Sequence, residues 1–201
     1  MYRSKLHTLF FFKIVPWLFS IFIVINLISC NRNYTPKPRG YFRIDFPEKK
    51  YLLFESECPY SFEFPQYGSV NPDKDSNSEP CWLNIDFPKY KGRIHISYKK
   101  AANNITEYFE DSRRFVYKHT VKADAIFENI IDIDDKNVFG ILYEIKGDAA
   151  SSLQFCLTDS VNHFLRGALY FSVRPNKDSL APVIDFFKED IIHFIETLEW
   201  K

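Results

Sequence analysis

A hydrophobic stretch that ends on a cysteine constrains this chain more than any other feature of its sequence. Arg3, Lys5 and Lys13 are the only charges before position 31, and an apolar run over residues 14–28 follows them. That run of about 15 residues is shorter than the roughly 20 that a membrane-spanning helix requires. A basic start followed by an apolar run of this length is typical of a secretory signal peptide. A permanent transmembrane helix is the weaker interpretation.

The tetrapeptide LISC (27–30) resembles the bacterial lipobox, in which an aliphatic residue, a tolerant position and a small residue precede a cysteine. The small residue lets a peptidase close around the backbone, and the thiol of Cys30 receives a diacylglycerol. An ordinary buried cysteine after an apolar run is the alternative. We therefore expect a lipoprotein signal peptide over 1–29, an extended lipidated tether over 30–40 and a single periplasmic domain over 41–201.

Removal of the 29 signal residues leaves 172 of the 201 residues, which is enough for one domain with a hydrophobic core. All three charges in the signal peptide are positive, so the 26 basic residues fall to 23 against 26 acidic ones, a net charge of −3. This balance argues against a nucleic-acid partner. The 18% aromatic content, together with alternating β-branched residues, favours a sheet-rich domain.

Three cysteines remain if Cys30 is lipidated. Cys58 and Cys81 each lie next to a proline and flank the polar stretch GSVNPDKDSNSE, so a disulfide between them would close a loop that cannot bury itself. Cys156 lies in the apolar run LQFCL and is expected to be a small buried hydrophobic residue. No cysteine or histidine spacing suits zinc, and we expect no metal site.

The hydrophobic periodicity predicts an α+β fold, an antiparallel sheet of about six or more strands with two helices on one face, the last helix being C-terminal. A β-sandwich with peripheral helices is the alternative. The first helix is expected to run from a capping box of Asn104 and Glu107 to about Lys122. The last is expected to start at Ser179, with Pro182 in its first turn. Alternation predicts strands at 41–46, near 51–54 and 60–64, and at 81–87, 93–99, 125–133, 138–145, 152–159 and 163–174.

Two polar segments could suggest chemistry. The segment TDSVNHF contains Asp159, Ser160 and His163, but it has no nucleophile-elbow sequence, so we interpret it as a hairpin turn whose side chains satisfy their own backbone. The segment DIDDKNVFG (132–140) lacks the glycine and glutamate of an EF-hand loop and is also expected to be a turn. We expect no catalytic residue and no cofactor.

Three stretches carry a resemblance to a known family: CWLNIDFPKYKGRIHISYK (81–99), GDAASSLQFCLTDSVNHFLRGALYFSVRPNKDSLAP (147–182) and the terminal ETLEWK. They resemble the gliding-motility lipoprotein D family (GldD) of gliding Gram-negative bacteria, and the likeness extends from the lipobox to Lys201. It implies a lipid-anchored component of gliding motility and of the linked type IX secretion apparatus, with membrane-protein partners of that machinery. It implies no known catalytic residues.

Several expectations concern position and surface. Asn31-Arg32-Asn33 follows the lipidated cysteine with no acidic residue before Asp45, which favours a domain that faces the periplasm over one exported to the cell surface. One end of the sheet, with Asp148, Asp159, Asn162 and His163, is the candidate interaction surface, because loops on a rigid scaffold carry function.

Two further sites are modification candidates. Ser160 and Ser179 each follow an aspartate and precede an aliphatic residue, a pattern that resembles the O-glycosylation acceptor of this bacterial group. Turn and helix-cap chemistry is the alternative explanation for both. A periplasmic ligand-binding lipoprotein and an esterase-like enzyme remain the alternative functions; an apolar cavity would favour the first, and a polar pocket with perturbed titratable groups the second.

Overall fold

The computed structural model describes residues 43–101 and 103–201. The predictions for the signal peptide, for Cys30 and for the tether lie outside the described residues. Ten strands and two α-helices follow one another along the chain: β1 (Tyr51–Phe54), β2 (Tyr60–Pro65), β3 (Ser69–Pro72), β4 (Leu83–Phe87), β5 (Gly92–Lys100), α1 (Ile105–Tyr117), β6 (Ala123–Ile133), β7 (Val138–Gly147), β8 (Ser151–Thr158), β9 (His163–Phe171), α2 (Lys177–Thr197) and β10 (Glu199–Trp200).

Seven strands form one antiparallel sheet in the order β3-β4-β5-β9-β8-β7-β6. A smaller antiparallel sheet has the order β1-β2-β10. The α+β fold class, the two helices and the number of strands are therefore as predicted. The separate three-stranded sheet was not expected, and neither β3 nor β10 was predicted. Strand β3 lies within a polar, proline-containing stretch, and β10 has only two residues.

The strand predicted at 41–46 is wrong for the residues described. Residues 43–50 form no regular structure, although Ile44 and Phe46 pack against the core while Arg43 and Asp45 are exposed. The alternation thus reflects burial without strand pairing. Pro47 follows directly and removes a backbone donor that a strand ladder would need.

The two helices cover opposite faces of the seven-stranded sheet, so the prediction of one shared face is wrong. Successive residues of a strand point to opposite faces. On β8, Phe155 and Leu157 belong to the core under α2, whereas Cys156 belongs to the core under α1. Every residue of β8 is buried, which requires cover on both sides. An apolar helical stripe predicts that a helix packs on a sheet, but it carries no information about which face.

The core under α2 is large and rich in aromatic rings. Phe187 and Phe194 of α2 pack on Phe87, Phe62 and Phe155, with ring centroids 4.4–5.4 Å apart. Phe62 comes from the small sheet, so this core joins both sheets to the helix. The core under α1 is smaller and contains Ala101, Val116, Tyr143, Ile145, Ala149, Cys156 and Phe164.

The helix starts differ from the predicted caps. The capping box at Asn104 is absent: with ψ at 15° its backbone is outside the extended region of a capping residue, and its side chain makes no cap hydrogen bond. Helix α1 ends at Tyr117 and continues as a 3-10 turn to Val121, close to the predicted end. Helix α2 begins at Lys177, and its cap is Asn176, whose side-chain oxygen accepts a hydrogen bond from the Ser179 backbone N–H.

Both sequence predictions for the start of α2 are therefore wrong by a few residues. Ser179 lies in the first turn and does not cap the helix, and Pro182 lies beyond that turn, inside the helix. The stripe itself is as predicted, because Phe187, Ile191 and Ile195 are buried against the sheet.

Candidate functional site

The β8–β9 turn is held by its own side chains, as predicted. Asp159 Oδ1 accepts hydrogen bonds from the backbone N–H groups of Val161, Asn162 and His163 at 2.8–3.0 Å. Burial alone would raise the pKa of Asp159, but these three hydrogen bonds outweigh it and hold the pKa below its ordinary value. Ser160 adopts a positive φ of 65° at the turn. The carboxylate thus acts as a backbone clamp.

His163 lies in a small aromatic cluster at this turn. Its Nδ1 is 2.8 Å from the Tyr98 hydroxyl, and its ring stacks on Trp200 with centroids 5.2 Å apart. The Asp159 carboxylate is 3.9 Å from Nε2. The hydroxyl paired with the imidazole therefore belongs to Tyr98 and not to Ser160, so these residues do not form a serine–histidine pair.

We call the exposed part of this region the turn-end surface; it comprises residues 159–163 and 199–201. Val161 is 63% exposed and Asn162 is exposed, while the residues below them are fixed by the hydrogen bonds and stacking just described. Trp200 Nε1 donates to the carbonyl of Asn137, which ties the neighbouring β6–β7 turn to the same end of the sheet. This β6–β7 turn, within the predicted 132–140 segment, forms as expected.

Asp148 lies away from the other candidate surface residues, so the predicted single surface is wrong. The 148–150 loop precedes β8 and the 159–162 turn follows it, and the strand between them separates the two loops. At about 3.3 Å per residue, the eight residues of β8 place the loops more than 20 Å apart. Asp148 instead supports α2, because its Oδ1 accepts a 2.8 Å hydrogen bond from the Lys177 backbone N–H.

Ser160 and Ser179, the two candidate glycosylation sites, are both exposed, one on the turn-end surface and one in the first turn of α2. Their O-glycosylation stays a prediction. Intact-mass analysis of protein purified from its native cells tests it, and the absence of any added sugar mass would contradict it.

The cysteines have the predicted states where the structure describes them. Cys58 and Cys81 form a disulfide with their Cα atoms 5.5 Å apart. The bond fastens the 59–80 segment, which carries β2 and β3, and the Tyr60 hydroxyl donates to the Cys81 carbonyl at 2.6 Å. Cys156 is a free, fully buried thiol, and burial raises its pKa to about 12. It is therefore an unreactive packing residue.

A buried polar cluster that the sequence did not reveal lies between the 43–50 segment, the small sheet and α2. Asp190 is 2% exposed, and its carboxylate accepts hydrogen bonds from Lys49 Nζ at 2.7 Å, from the Tyr51 hydroxyl at 3.0 Å and from the Tyr67 hydroxyl. Burial, together with the negative charge of Asp190, raises the pKa of both tyrosines well above the ordinary range. The only signal in the sequence was one acidic residue on the apolar stripe of α2.

Lys49 completes this cluster. Its Nζ also donates to the Phe186 carbonyl at 2.6 Å and lies 3.6 Å from the centre of the Phe186 ring. Every polar side chain of this cluster therefore has a hydrogen-bond or ion-pair partner. Such a cluster fastens the 43–50 segment and the small sheet to α2, and we call it a structural clamp. Elsewhere in the described residues, no group of three histidine, cysteine, aspartate or glutamate side chains is placed to hold a metal ion. Over the same part of the chain, no helix is both long and apolar enough to cross a membrane.

Comparisons with known proteins give a family and distant structural likenesses. The structure resembles the solution structure of cyanobacterial PsbP (CyanoP) from Synechocystis sp. PCC 6803, with 10% identity, a TM-score of 0.48, and coverage of 77% of this chain and 95% of that one. No curated protein matches the chain. The model of the gliding motility lipoprotein GldD family matches residues 31–200. Because this match spans most of the sequence, the chain belongs to the gliding motility lipoprotein GldD family.

Proposed function

We propose that this protein is a lipid-anchored, non-catalytic binding component of gliding motility and of the linked type IX secretion apparatus. The observation that carries the proposal is the family match over residues 31–200, since the family is one of gliding motility lipoproteins. In this proposal Cys30 is the lipidated mature N-terminus, the domain faces the periplasm, and its partners are membrane proteins of the machinery.

Binding is favoured over catalysis by the state of the polar groups at the turn. The Asp159 carboxylate is engaged with three backbone N–H groups, and His163 is engaged with Tyr98 and Trp200. An esterase would require a hydroxyl nucleophile beside the imidazole and donors for an oxyanion. The hydroxyl beside His163 is a tyrosine whose pKa is raised, chiefly by burial, which makes it a poorer nucleophile at neutral pH.

The turn-end surface is our proposed contact site for a partner. Its backbone is fixed from below by Asp159, while Val161 and Asn162 project at the surface with no structural task in the core. A rigid loop with an exposed apolar side chain loses little conformational entropy on binding. Asp148 is not included, since it supports α2 from the far end of β8.

Deletion of the gene tests the function. We expect the deletion strain to lose spreading on agar and secretion through the type IX apparatus, and a plasmid copy to restore both. A clean deletion that leaves both processes intact would contradict the functional proposal. Crosslinking of a tagged copy in its native membrane, followed by mass spectrometry, then identifies the partner.

Two matched substitutions test the surface separately. Val161→Arg puts a charge on the turn-end surface, and Ala150→Arg puts the same charge on the exposed loop at the other end of β8. We expect Val161→Arg to reduce spreading and secretion at normal protein abundance, and Ala150→Arg to behave as wild type. Equal behaviour of the two variants would remove the surface assignment and leave the functional proposal untouched.

The anchor has its own test. Two or more acyl chains give stable membrane attachment, whereas one gives only marginal binding. We expect Cys30→Ala to accumulate as unprocessed precursor; normally sized, membrane-bound mature protein from this variant would contradict lipidation at Cys30. Protease treatment of intact cells tests the orientation, because digestion of the domain without lysis would place it on the cell surface.

A further inference from the structure

A pocket lies beside α1 on the face of the seven-stranded sheet that this helix only partly covers. Its volume is about 620 Å³, and its wall contains Arg166, His95, Ser97, Tyr108, Phe115 and Tyr170. Helix α1 covers the β7–β8–β9 part of this face, while the part over β4 and β5 carries polar side chains. The pocket is the gap between the helix and this polar half.

Arg166 is a partly buried cation with no acidic partner among the described residues. No carboxylate of the described part of the chain lies within 4.0 Å of its guanidinium, whereas Arg93, one strand away, pairs with Asp86 at 2.5 Å. The guanidinium donates to Gln154 Oε1 at 2.6 Å and lies 5.0 Å from the centre of the Phe115 ring. A buried charge without a counter-charge is costly, and proteins seldom retain one without a use for it.

Gln154 orients Arg166 and has an unsatisfied donor of its own. This residue is 1% exposed, and its Nε2 has no hydrogen-bond partner among the described residues. The orientation of the amide is fixed, because the other orientation would set an NH₂ group against the guanidinium. The amide oxygen accepts the hydrogen bond from Arg166, so the NH₂ group of the same amide lies next to that hydrogen bond. The Gln154 NH₂ group thus lacks an acceptor, and the guanidinium beside it, which also hydrogen-bonds Tyr170, has no counter-charge.

The acidic side chains on the pocket wall are already engaged. Asp73 accepts from Asn84 Nδ2 at 3.2 Å and from the Asp75 backbone N–H at 3.3 Å. Asp111 pairs with Arg114 at 3.3 Å along α1. Neither of them supplies a counter-charge to Arg166, which leaves the pocket with an unmatched positive group in its wall.

The surroundings favour a carboxylate over a phosphate. Burial, with the positive charge of Arg93, holds the pKa of His95 below its ordinary value, so the imidazole is neutral at pH 7 and adds no second charge. One planar guanidinium matches a planar monoanion. The rings of Tyr108 and Phe115 form an apolar wall nearby, and Phe115 is 46% exposed although it lies on a packed helix.

We propose that the pocket between α1 and the sheet binds a carboxylate ligand that carries an apolar or aromatic group beside the carboxylate. Arg166, oriented by Gln154, holds the carboxylate, and Phe115 and Tyr108 contact the apolar group. A small organic acid and the C-terminal residue of a peptide share this chemistry. The proposal does not depend on the turn-end surface or on the role in motility.

A ligand-observed NMR titration of the mature lipoprotein in detergent tests the site. N-acetylphenylalanine is the probe, and N-acetylphenylalanine amide and inorganic phosphate are the comparisons. We expect the acid to bind about ten-fold or more tightly than the amide, and tighter than phosphate. Equal binding of acid and amide, tighter binding of phosphate, or no binding of the acid would overturn the proposal.

Three variants assign the residues. Arg166→Gln should weaken binding of the acid about ten-fold or more, while Arg93→Gln, the matched control on the neighbouring strand, should leave it unchanged. Phe115→Ala, at an exposed position, should reduce the affinity for N-acetylphenylalanine to that for N-acetylglycine. Wild-type affinity in Arg166→Gln would overturn the proposal, and Phe115→Ala keeps the test valid if Arg166→Gln does not fold.

A peptide that ends in phenylalanine separates the two sources of the ligand. Tighter binding of the peptide than of N-acetylphenylalanine indicates the C-terminus of a protein chain, and a preference for the short acid indicates a small metabolite. Both outcomes support a carboxylate site.

Discussion

The two faces of the seven-stranded sheet are each covered by one helix, but the residues between sheet and helix differ. Under α2, aromatic rings from the helix and both sheets form one core, and Asp190, the one buried acidic side chain of the described residues, accepts hydrogen bonds from three donors. Under α1, the core is small, and beside it Arg166 and Gln154 are incompletely matched. Buried apolar packing is therefore concentrated on the α2 face, whereas the α1 face retains polar groups without a full set of partners.

Removal of a ring from the α2 core should have the largest effect on stability. Phe187 is fully buried and contacts the rings of Phe87, Tyr90 and Phe171. Phe187→Ala should lower the free energy of unfolding by about 3–5 kcal/mol, because it leaves a cavity in a rigid core. Chemical denaturation of the mature protein measures this. Phe164→Ala in the core under α1 is the matched control, because this ring is buried as well, and an equal loss in both variants would break the comparison of the faces.

The Asp190 cluster should rank next. Asp190→Ala leaves Lys49 and two tyrosine hydroxyls without their acceptor, and removal of one member of a buried ionic network costs roughly 3 kcal/mol. Asp190→Asn, which retains an acceptor oxygen, should lose less. A loss below about 1 kcal/mol in Asp190→Ala would show that the cluster is not a clamp.

A core substitution on the α1 face should cost less than either. Val116 is 1% exposed and belongs to the smaller core. Val116→Ala removes two methyl groups, worth about 1.5 kcal/mol in lost burial. The same denaturation series measures it, and a loss as large as that of Phe187→Ala would mean that the two faces contribute equally.

The smallest expected effect is a pH dependence confined to the α2 face. Glu144 of β7 binds Lys188 of α2 at 2.6 Å. Burial alone would raise the pKa of Glu144, but the hydrogen bond and charge of Lys188, with a smaller effect of Lys146, hold it below its ordinary value. A lowered folded-state pKa stabilises the protein above the unfolded pKa of about 4.5, and this contribution disappears as the pH falls through the folded value.

Glu144→Gln tests this dependence. We expect the variant to be less stable than wild type by under about 1 kcal/mol near pH 7, and the difference to shrink as the pH falls below the unfolded pKa. Thermal unfolding from pH 3 to pH 7 gives both values. An identical pH profile in the two proteins would show that this ion pair adds nothing to the attachment of α2.

The sequence predicted what depends on local pattern. Strict alternation identified the longer strands, the aspartate of the 159–162 turn predicted its backbone hydrogen bonds, and a polar loop between two cysteines predicted their disulfide. The placement of α1 and α2 on opposite faces is a three-dimensional property. It shows in the burial of every residue of β8, and because four of its eight residues are polar, the sequence of the strand does not predict that burial. Asp148 and Asp159 are separated because β8 runs from one loop to the other. The polar character of the two loops does not show that they lie at opposite ends of that strand.

The two polar sites escaped prediction for a common reason. Asp190 contacts residues more than 120 positions away, and Arg166 lies in a pocket whose wall comes from several strands and α1. The sequence immediately around Asp190 and Arg166 does not distinguish either residue from other charged residues of the chain. Only the fold shows that one acid is fully matched and that one cation is not.

The contacts of the 43–50 segment have a mechanical consequence. Phe46 stacks on Phe186 with ring centroids 4.3 Å apart, and Lys49 binds both Asp190 and the Phe186 carbonyl. A pull applied at Arg43 would therefore load several side-chain contacts with α2 at once. Strand β1, at the edge of the small sheet, would otherwise detach one hydrogen bond at a time. Tension on the 43–50 segment is thus transferred to α2 before it reaches β1.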